Sequence, residues 1–253
     1  MQLTFDFHNH SPLSRCSKKN YTVTEMLETM KSKGYTRVGI SDHYYFDETI
    51  PAEAVKYAKD QAKNVPGIEF FSGVEVDMLA PGILDADYAT LSPYDYIQVA
   101  APHWHNPRIA RPIVFSNEAL AQEQYDMMVS FSAFPFVDAI VHPFTFYPAD
   151  AFGMTVDQVK LMSFYTKGDY DRIIDVLLNN DIAVELHRNL AKPDYTEGIL
   201  PFLRQCVSRG VHFSLGSDAH ELSVVGSILG VKELIDSLHI PDELAFVPHK
   251  NVK

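Results

Sequence analysis

Polar and apolar positions alternate from the start of the chain, and Gln2-Leu3-Thr4-Phe5-Asp6-Phe7 reads as a β-strand. Residues i and i+2 of a strand point the same way, so His8 and His10 would aim two imidazoles at one point where the strand ends. After a polar loop over Ser11 to Tyr21 the period lengthens. Thr22 or Thr24 can cap a helix to about Lys33, with Met26, Leu27 and Met30 on its apolar face and Gly34 ending it. Arg37 to Ile40 is a second short strand, closed by Ser41-Asp42-His43. Pro51 then opens a helix through about Asn64. Ile68 to Val76 is a third strand and carries Glu75. Tyr96 to Ala101 is the fourth, followed by Pro102-His103-Trp104-His105.

The same alternation continues to the end. Ser116 or Asn117 caps a helix to about Phe131, and Val137 to Val141 is a fifth strand ending at His142-Pro143. Helical stretches follow near Thr155–Tyr165 and Asp169–Asn180. Ile182 to Val184 is the sixth strand, leading into Glu185-Leu186-His187-Arg188-Asn189. A helix from about Glu197 to Ser208 precedes the seventh strand, Val211 to Leu215, which ends at Gly216-Ser217-Asp218-Ala219-His220. A last helix covers about Val224–Leu238, and the tail after Pro241 is expected to be irregular. Strands alternating with helices predict a parallel sheet with helices packed outside. Seven such units point to a closed or nearly closed α/β barrel, one domain over residues 1–253 with no internal repeat or linker. The longest irregular stretches expected are Asp77–Pro93 and Pro102–Phe115.

The chain has 253 residues, 46% hydrophobic, enough for one large core. Its formal charge is −12, which repels nucleic-acid backbones and anionic membranes at long range and leaves small anionic substrates open. The 2 cysteines, Cys16 and Cys206, are no disulfide framework and fit a reducing compartment. Met1 leads straight into a strand, with no basic and apolar leader, and no apolar run approaches the length of a membrane span. The expectation is a cytoplasmic protein.

Each predicted strand is followed at once by His, Asp or Glu: His8 and His10, Asp42 and His43, Glu75, His103, His142, Glu185, then Asp218 and His220. The C-terminal strand ends of a parallel barrel form one rim, and chemistry sits there. A ring of imidazoles and carboxylates is what a multi-metal site requires, because carboxylates bridge cations and imidazoles complete their shells. Random placement of 11 histidines would not put so many at strand ends. Other residues have plainer readings. His187, His212, His239 and His249 are taken as ordinary surface or core histidines, and His105 as a pocket-lining residue. Asp42 either caps the next loop or acts in the site. Glu185 either reaches the site or pairs with Arg188. Trp104 either lines a pocket or packs. The runs Phe134-Pro135-Phe136 and Phe144-Thr145-Phe146-Tyr147 read as packing, and Lys18-Lys19 as a solvated loop.

Taken together, His8-x-His10, Ser41-Asp42-His43, Gly73-Val74-Glu75, His103, His142-Pro143 and Gly216-Ser217-Asp218-Ala219-His220 resemble the successive motifs of the PHP (polymerase and histidinol phosphatase) family. The resemblance implies a distorted (β/α)7 TIM-like barrel, two to three divalent metal ions (Zn, Mn or Fe) and hydrolysis of phosphoesters. By motif, His8, His10, Glu75 and Asp218 resemble the ligands of one metal. Glu75 would bridge to a second, held also by His103 and His142. His43 and His220 match ligands of a third. The family usually supplies another His to that third site, at a place that falls on Cys16. A thiolate there would be a competent ligand that favours softer ions such as Zn²⁺; the other reading makes Cys16 a small loop residue. The loop also lacks the second His common in the histidinol-phosphatase branch.

The expected reaction is hydrolysis of a small phosphomonoester, with close metals clamping phosphoryl oxygens and activating a water. The leaving alkoxide needs a proton or a metal, and Asp218, His220 or a metal-bound water could serve; Asp218 and His220 are the catalytic candidates. Arg188 is the first candidate to hold phosphate, with Arg15 and Arg111 next. The partner expected is a small phosphorylated substrate, with no long nucleic acid and no membrane. The alternatives are an exonuclease or phosphodiesterase acting on a terminal nucleotide, a non-catalytic metal-binding domain, and metal-assisted hydrolysis of a non-phosphate bond.

Overall fold

A computed structural model describes residues 1–44, 52–104, 106–109, 115–146, 155–228 and 230–248. The N-terminal alternation forms two short strands, β1 (Phe5–Asp6) and β2 (His8–Asn9), joined through Phe7. The remaining strands are β3 (Arg37–His43), β4 (Glu69–Ala80), β5 (Ile83–Leu84), β6 (Tyr96–Ala100), β7 (Ala139–Val141), β8 (Ala183–His187) and β9 (Phe213–Ala219). The helices are α1 (Val23–Ser32), α2 (Ala52–Ala62), α3 (Tyr88–Leu91), α4 (Asn117–Ser130), α5 (Gln158–Met162), α6 (Lys167–Asn179), α7 (Pro193–Arg209) and α8 (Val231–Leu238). Sheet order is β1-β3-β4-β6-β7-β8-β9-β2, with β5 paired to β4. Every pairing on that path is parallel. Because β1 and β2 are halves of one segment, the path returns to its own beginning. The sheet is a distorted, nearly closed seven-stave barrel with helices between staves, the architecture expected from the sequence.

Local chemistry explains the elements. Thr22 and Glu25 form a reciprocal capping box at the start of α1, which buries Val23, Met26, Leu27 and Met30. Ser116 caps α4 through Ala119 N. Inside the barrel, the Tyr96 ring lies across Gly39 and Gly73. A Cβ at either glycine would sit 2.1 Å from a Tyr96 side-chain atom, so only glycine leaves room for the ring. The Tyr96 hydroxyl donates to the Phe7 carbonyl at the split in the first stave. At the other end, Ala245 bridges to Phe213 and buried Phe246 packs edge-on against Phe7, ring centres 5.8 Å apart. The tail thus has a short turn at Asp242–Leu244 and helps close the barrel.

The strands run further than expected. β3 includes Asp42 and His43, β8 includes Glu185 and His187, and β9 includes Asp218. Those residues lie within strands, not after them. Period-2 apolar runs end where polar site residues begin, but backbone pairing continues because the site is itself built on the sheet. The stretch Asp77–Pro93 is likewise ordered, through the end of β4, β5 and α3. The last helix is only Val231–Leu238. Among the described residues, no helix is long and apolar enough to cross a membrane.

Candidate metal centre

Parallel register brings the strand residues level. His43 on β3 pairs with Glu75 on β4, and His187 on β8 pairs with Gly216 on β9. The β2–β9 register slips between His8 and Asn9. At this irregularity Asp218 adopts φ 48°, and His142, one residue past β7, adopts φ 31°. Left-handed backbone at non-glycine residues is strained and concentrates at functional sites.

Glu75 is the hub, 1% exposed. Its Oε2 lies 3.2 Å from His8 Nε2, 3.4 Å from His10 Nε2 and 3.1 Å from His43 Nδ1. Its Oε1 lies 3.1 Å from His142 Nε2, which in turn is 3.1 Å from His103 Nε2. Asp218 Oδ1 is 3.0 Å from His10 Nε2 and 3.5 Å from His8 Nε2. One donor atom from each of His10, Cys16, His43 and His220 also falls within 4.8 Å of the others. Three overlapping donor clusters result, centred on His8, His10 and Glu75, on His43, Glu75 and His103, and on the Cys16 group.

These donors fit divalent cations. Two imidazole nitrogens facing each other can share at most one proton, and a cation between them satisfies both. His10 Nδ1 is buried with no hydrogen-bond partner among the described residues. Carboxylates brace the Nδ1 atoms of two other rings. His8 Nδ1 meets Glu185 Oε1 at 2.7 Å, and His103 Nδ1 meets Asp77 Oδ1 at 3.1 Å. A carboxylate behind a histidine orients the ring for a metal. Glu185 also accepts the His142 backbone N–H at 2.5 Å.

The metal-free electrostatics are those of a tightly packed cage. Burial would raise the pKa of Glu75, but His43, His8 and His103 hold it well below the carboxylate range. Asp218 is likewise held low against burial, chiefly by His8 and by hydrogen bonds from His10 and His187. His8 is pushed well above its usual value, because Glu185, Glu75 and Asp218 outweigh desolvation. Burial drives His43 well below the usual value and His220 down to about 4. Burial also raises the Cys16 thiol to about 11. A bound cation would convert that thiol to thiolate.

The structure gathers His8, His10, Cys16, His43, Glu75, His103, His142, Asp218 and His220 into this one region. Arg188 is half-buried and lines the cavity of about 1240 Å³ above it, with Lys18, Lys192, Thr145, Phe146 and Tyr195. Arg15 is exposed and is not among the residues lining this cavity. Arg111, His105 and His249 lie outside the described residues. Asp42 takes the loop role: its carboxylate accepts the Ser11 backbone N–H and hydroxyl, both at 2.6 Å, and ties down the segment after His10. Trp104 is fully buried against Phe146, ring centres 5.3 Å apart, and packs.

Two residues were not anticipated. His187, read as an ordinary histidine, is buried at the cavity wall with Nε2 3.4 Å from Asp218 Oδ2. The signal was available, because Glu185 and His187 alternate onto one face once the strand is carried past Val184. Asp77, read as the start of an irregular stretch, is two residues past Glu75 on the same face. His212 and His239 stay away from the site. His212 pairs with exposed Asp181, and His239 ends α8.

A family model described as PHP domain matches residues 6–240. Among curated proteins, the chain is 25% identical over 232 residues to the DNA polymerase/3'-5' exonuclease PolX of Bacillus subtilis (strain 168), covering 88% of this chain but only 35% of that protein. It is 24% identical over 257 residues to a probable phosphatase of Acetivibrio thermocellus, covering 96% of this chain and 90% of the relative. Among solved structures, the histidinol phosphate phosphatase of Lactococcus lactis, complexed with zinc, L-histidinol and phosphate, superposes with a TM-score of 0.65 at 14% identity. That match covers 96% of this chain and 98% of the other.

Proposed function

The chain belongs to the PHP domain family, and from that premise we propose that it is a metal-dependent phosphatase acting on a small phosphomonoester through a multinuclear centre. The observation that carries this reading is Glu75, a buried carboxylate whose two oxygens face two different sets of imidazoles, as a bridge between cations requires. The ligand sets are His8, His10, Glu75 and Asp218 for one cation and Glu75, His103 and His142 for a second. Cys16, His43 and His220 would hold a third, where a thiolate would favour zinc. Close divalent cations, when bound, clamp phosphoryl oxygens and make a nearby water acidic enough to attack phosphorus.

The protein residues supply the rest. The Arg188 guanidinium at the cavity wall holds phosphoryl oxygens with a planar fork. Asp218, kept ionised, accepts at Oδ2, beside His187, the proton released as water attacks phosphorus, and returns it to the alkoxide oxygen that leaves as the ester P–O bond breaks. His220, neutral at pH 7 with its pKa near 4, serves as a donor to a cation. Apolar Phe146, Val156 and Val224 on the cavity wall leave room for the alcohol part of the ester.

Similarity to an exonuclease-bearing polymerase favours a second reading, attack on a terminal nucleotide diester. One experiment separates them. Phosphate release is measured across a panel of small phosphomonoesters, with protein loaded in turn with Mn²⁺ and Zn²⁺ and His8→Ala as the blank. Turnover that vanishes in the blank is expected. Release of mononucleotides from oligonucleotides with no monoester turnover would shift the assignment to the diesterase. Bound metal with no turnover on either would leave a non-catalytic metal-binding domain.

A further inference from the structure

The strand that carries Glu75 continues past it. β4 runs to Ala80, turns and folds back as β5, with Met78 opposite Leu84. This returns Asp85 to Asp77, and the Asp85 backbone N–H donates to the Asp77 carbonyl at 2.9 Å. Both side chains are buried, 2% and 1% exposed. Asn106 and Arg108 lie over them. Asn106 donates its backbone N–H to the His103 carbonyl at 3.0 Å. Its amide nitrogen donates to Asp77 Oδ2 at 2.8 Å and to Asp85 Oδ2 at 3.0 Å. Arg108 donates its backbone N–H to Asn106 Oδ1 at 3.0 Å, and its guanidinium pairs with Asp85 Oδ1. The remaining Asp77 oxygen faces His103 Nδ1. The line His103, Asp77, Asn106, Asp85, Arg108 therefore runs unbroken from the imidazole beside Glu75 to a side chain 40% exposed.

Two adjacent buried carboxylates are costly unless each is compensated. Here the two amide protons of one asparagine are divided between them, and Arg108 neutralises Asp85. Asp77 is left to act on His103. A carboxylate accepting from Nδ1–H fixes the imidazole in the tautomer whose Nε2 is bare. That Nε2 is the atom 3.1 Å from His142 Nε2, which itself lies 3.1 Å from Glu75 Oε1. We propose that Asp77 is a positioning residue for the cation held by Glu75, His103 and His142, and that Asn106, Asp85 and Arg108 hold Asp77 in turn. The inference rests on the metal reading above. It is specific to one cation, because the His8 ring of the neighbouring cluster is braced by a different carboxylate, Glu185.

The test uses Zn²⁺ alone as probe. Full-length wild-type protein, Asp77→Asn, Arg108→Met and Arg108→Lys are equilibrated against buffers of graded free zinc. Bound metal is counted by mass spectrometry, and thermal unfolding of each metal-free protein is followed alongside. In Asp77→Asn one equivalent is expected to need about 10–100-fold more free zinc, with the other equivalents unchanged. Arg108→Met should weaken the same equivalent, and Arg108→Lys should restore it. Unchanged binding in Asp77→Asn would overturn the proposal. So would weakening of all equivalents together, in step with a lower melting temperature of the metal-free protein, since that is the mark of a merely structural residue. A wild-type protein that binds no zinc would fail at the first measurement and overturn the metal reading itself.

Discussion

At the scale of single residues, the centre is organised by how many donors one side chain can satisfy. Glu75 faces imidazoles contributed by the first stave, β3, and the segments after β6 and β7. A carboxylate has about four lone-pair directions and suits this position, which an imidazole or thiol would not. Cys16 occupies the opposite situation. Its sulfur stands at the exposed edge of the cluster with His10, His43 and His220, 3.0 Å from the Ser14 hydroxyl. Sulfur is soft, so this cluster should prefer zinc or cobalt to manganese. In Co²⁺-loaded protein we expect a near-ultraviolet thiolate-to-cobalt absorption that is absent from Cys16→Ala. That variant should also bind one equivalent fewer while keeping the rest. Unchanged stoichiometry and an unchanged spectrum would return Cys16 to a loop role held by Ser14.

At the scale of elements, strand packing decides where the supporting carboxylates can go. Gly216 on β9 is an example: a Cβ there would lie 1.7 Å from Glu185 Oε1 and 2.7 Å from the His8 Cβ. The missing side chain is the space the Glu185 carboxylate fills while it braces His8 and the His142 backbone. Gly216→Ala should displace that carboxylate and break a fully buried pair, costing roughly 3–5 kcal/mol. A fall in the urea midpoint at unchanged slope would register it. A midpoint within experimental error of wild type would mean that β8 and β9 can separate freely. Elements of this kind were only partly legible in the sequence. Alternation in the first segment and short apolar runs between helices located all seven staves, and the motifs at their ends located Glu75, Asp218 and the ring of histidines. The ends of β4 and β8 were not legible, because there the inward face turns from apolar to ionisable and the hydrophobic signal stops. Asp77 and His187 lie beyond that change and went unseen. The hairpin of β5 was hidden for another reason: its two residues pair only because β4 overruns the barrel rim.

At the scale of the whole molecule, a chain of net charge −12 concentrates Glu75, Glu185, Asp77 and Asp218 around one end of its barrel. Without cations, protons must balance them, and the pKa directions say where those protons go. His8 and His103 are raised, so both favour the folded state when charged. For a raised base, that stability is complete below its unfolded value, near 6.5, and is lost as pH rises through the folded value. His43, His142 and His220 are lowered, mainly by burial, and favour the folded state when neutral; their contribution is lost as pH falls below 6.5. Glu75, Glu185 and Asp218 are lowered too, and their contribution fades at still lower pH. The contribution of these site groups to the metal-free protein is therefore greatest near pH 6.5 and weakens on both sides, while Asp6 and Glu123, raised to about 7 by burial, subtract stability as pH climbs from the usual carboxyl range to 7. Cations take over the balancing role and bind more tightly as imidazoles and the thiol deprotonate. Binding to the folded state alone stabilises by about 2.7 kcal/mol per site at one hundred times the dissociation constant. The rise in melting temperature on adding Zn²⁺ to chelator-stripped protein should accordingly grow between pH 6.5 and 8.5. A rise that shrinks over this interval would mean that the buried carboxylates are balanced by something other than the histidines and the cations they hold.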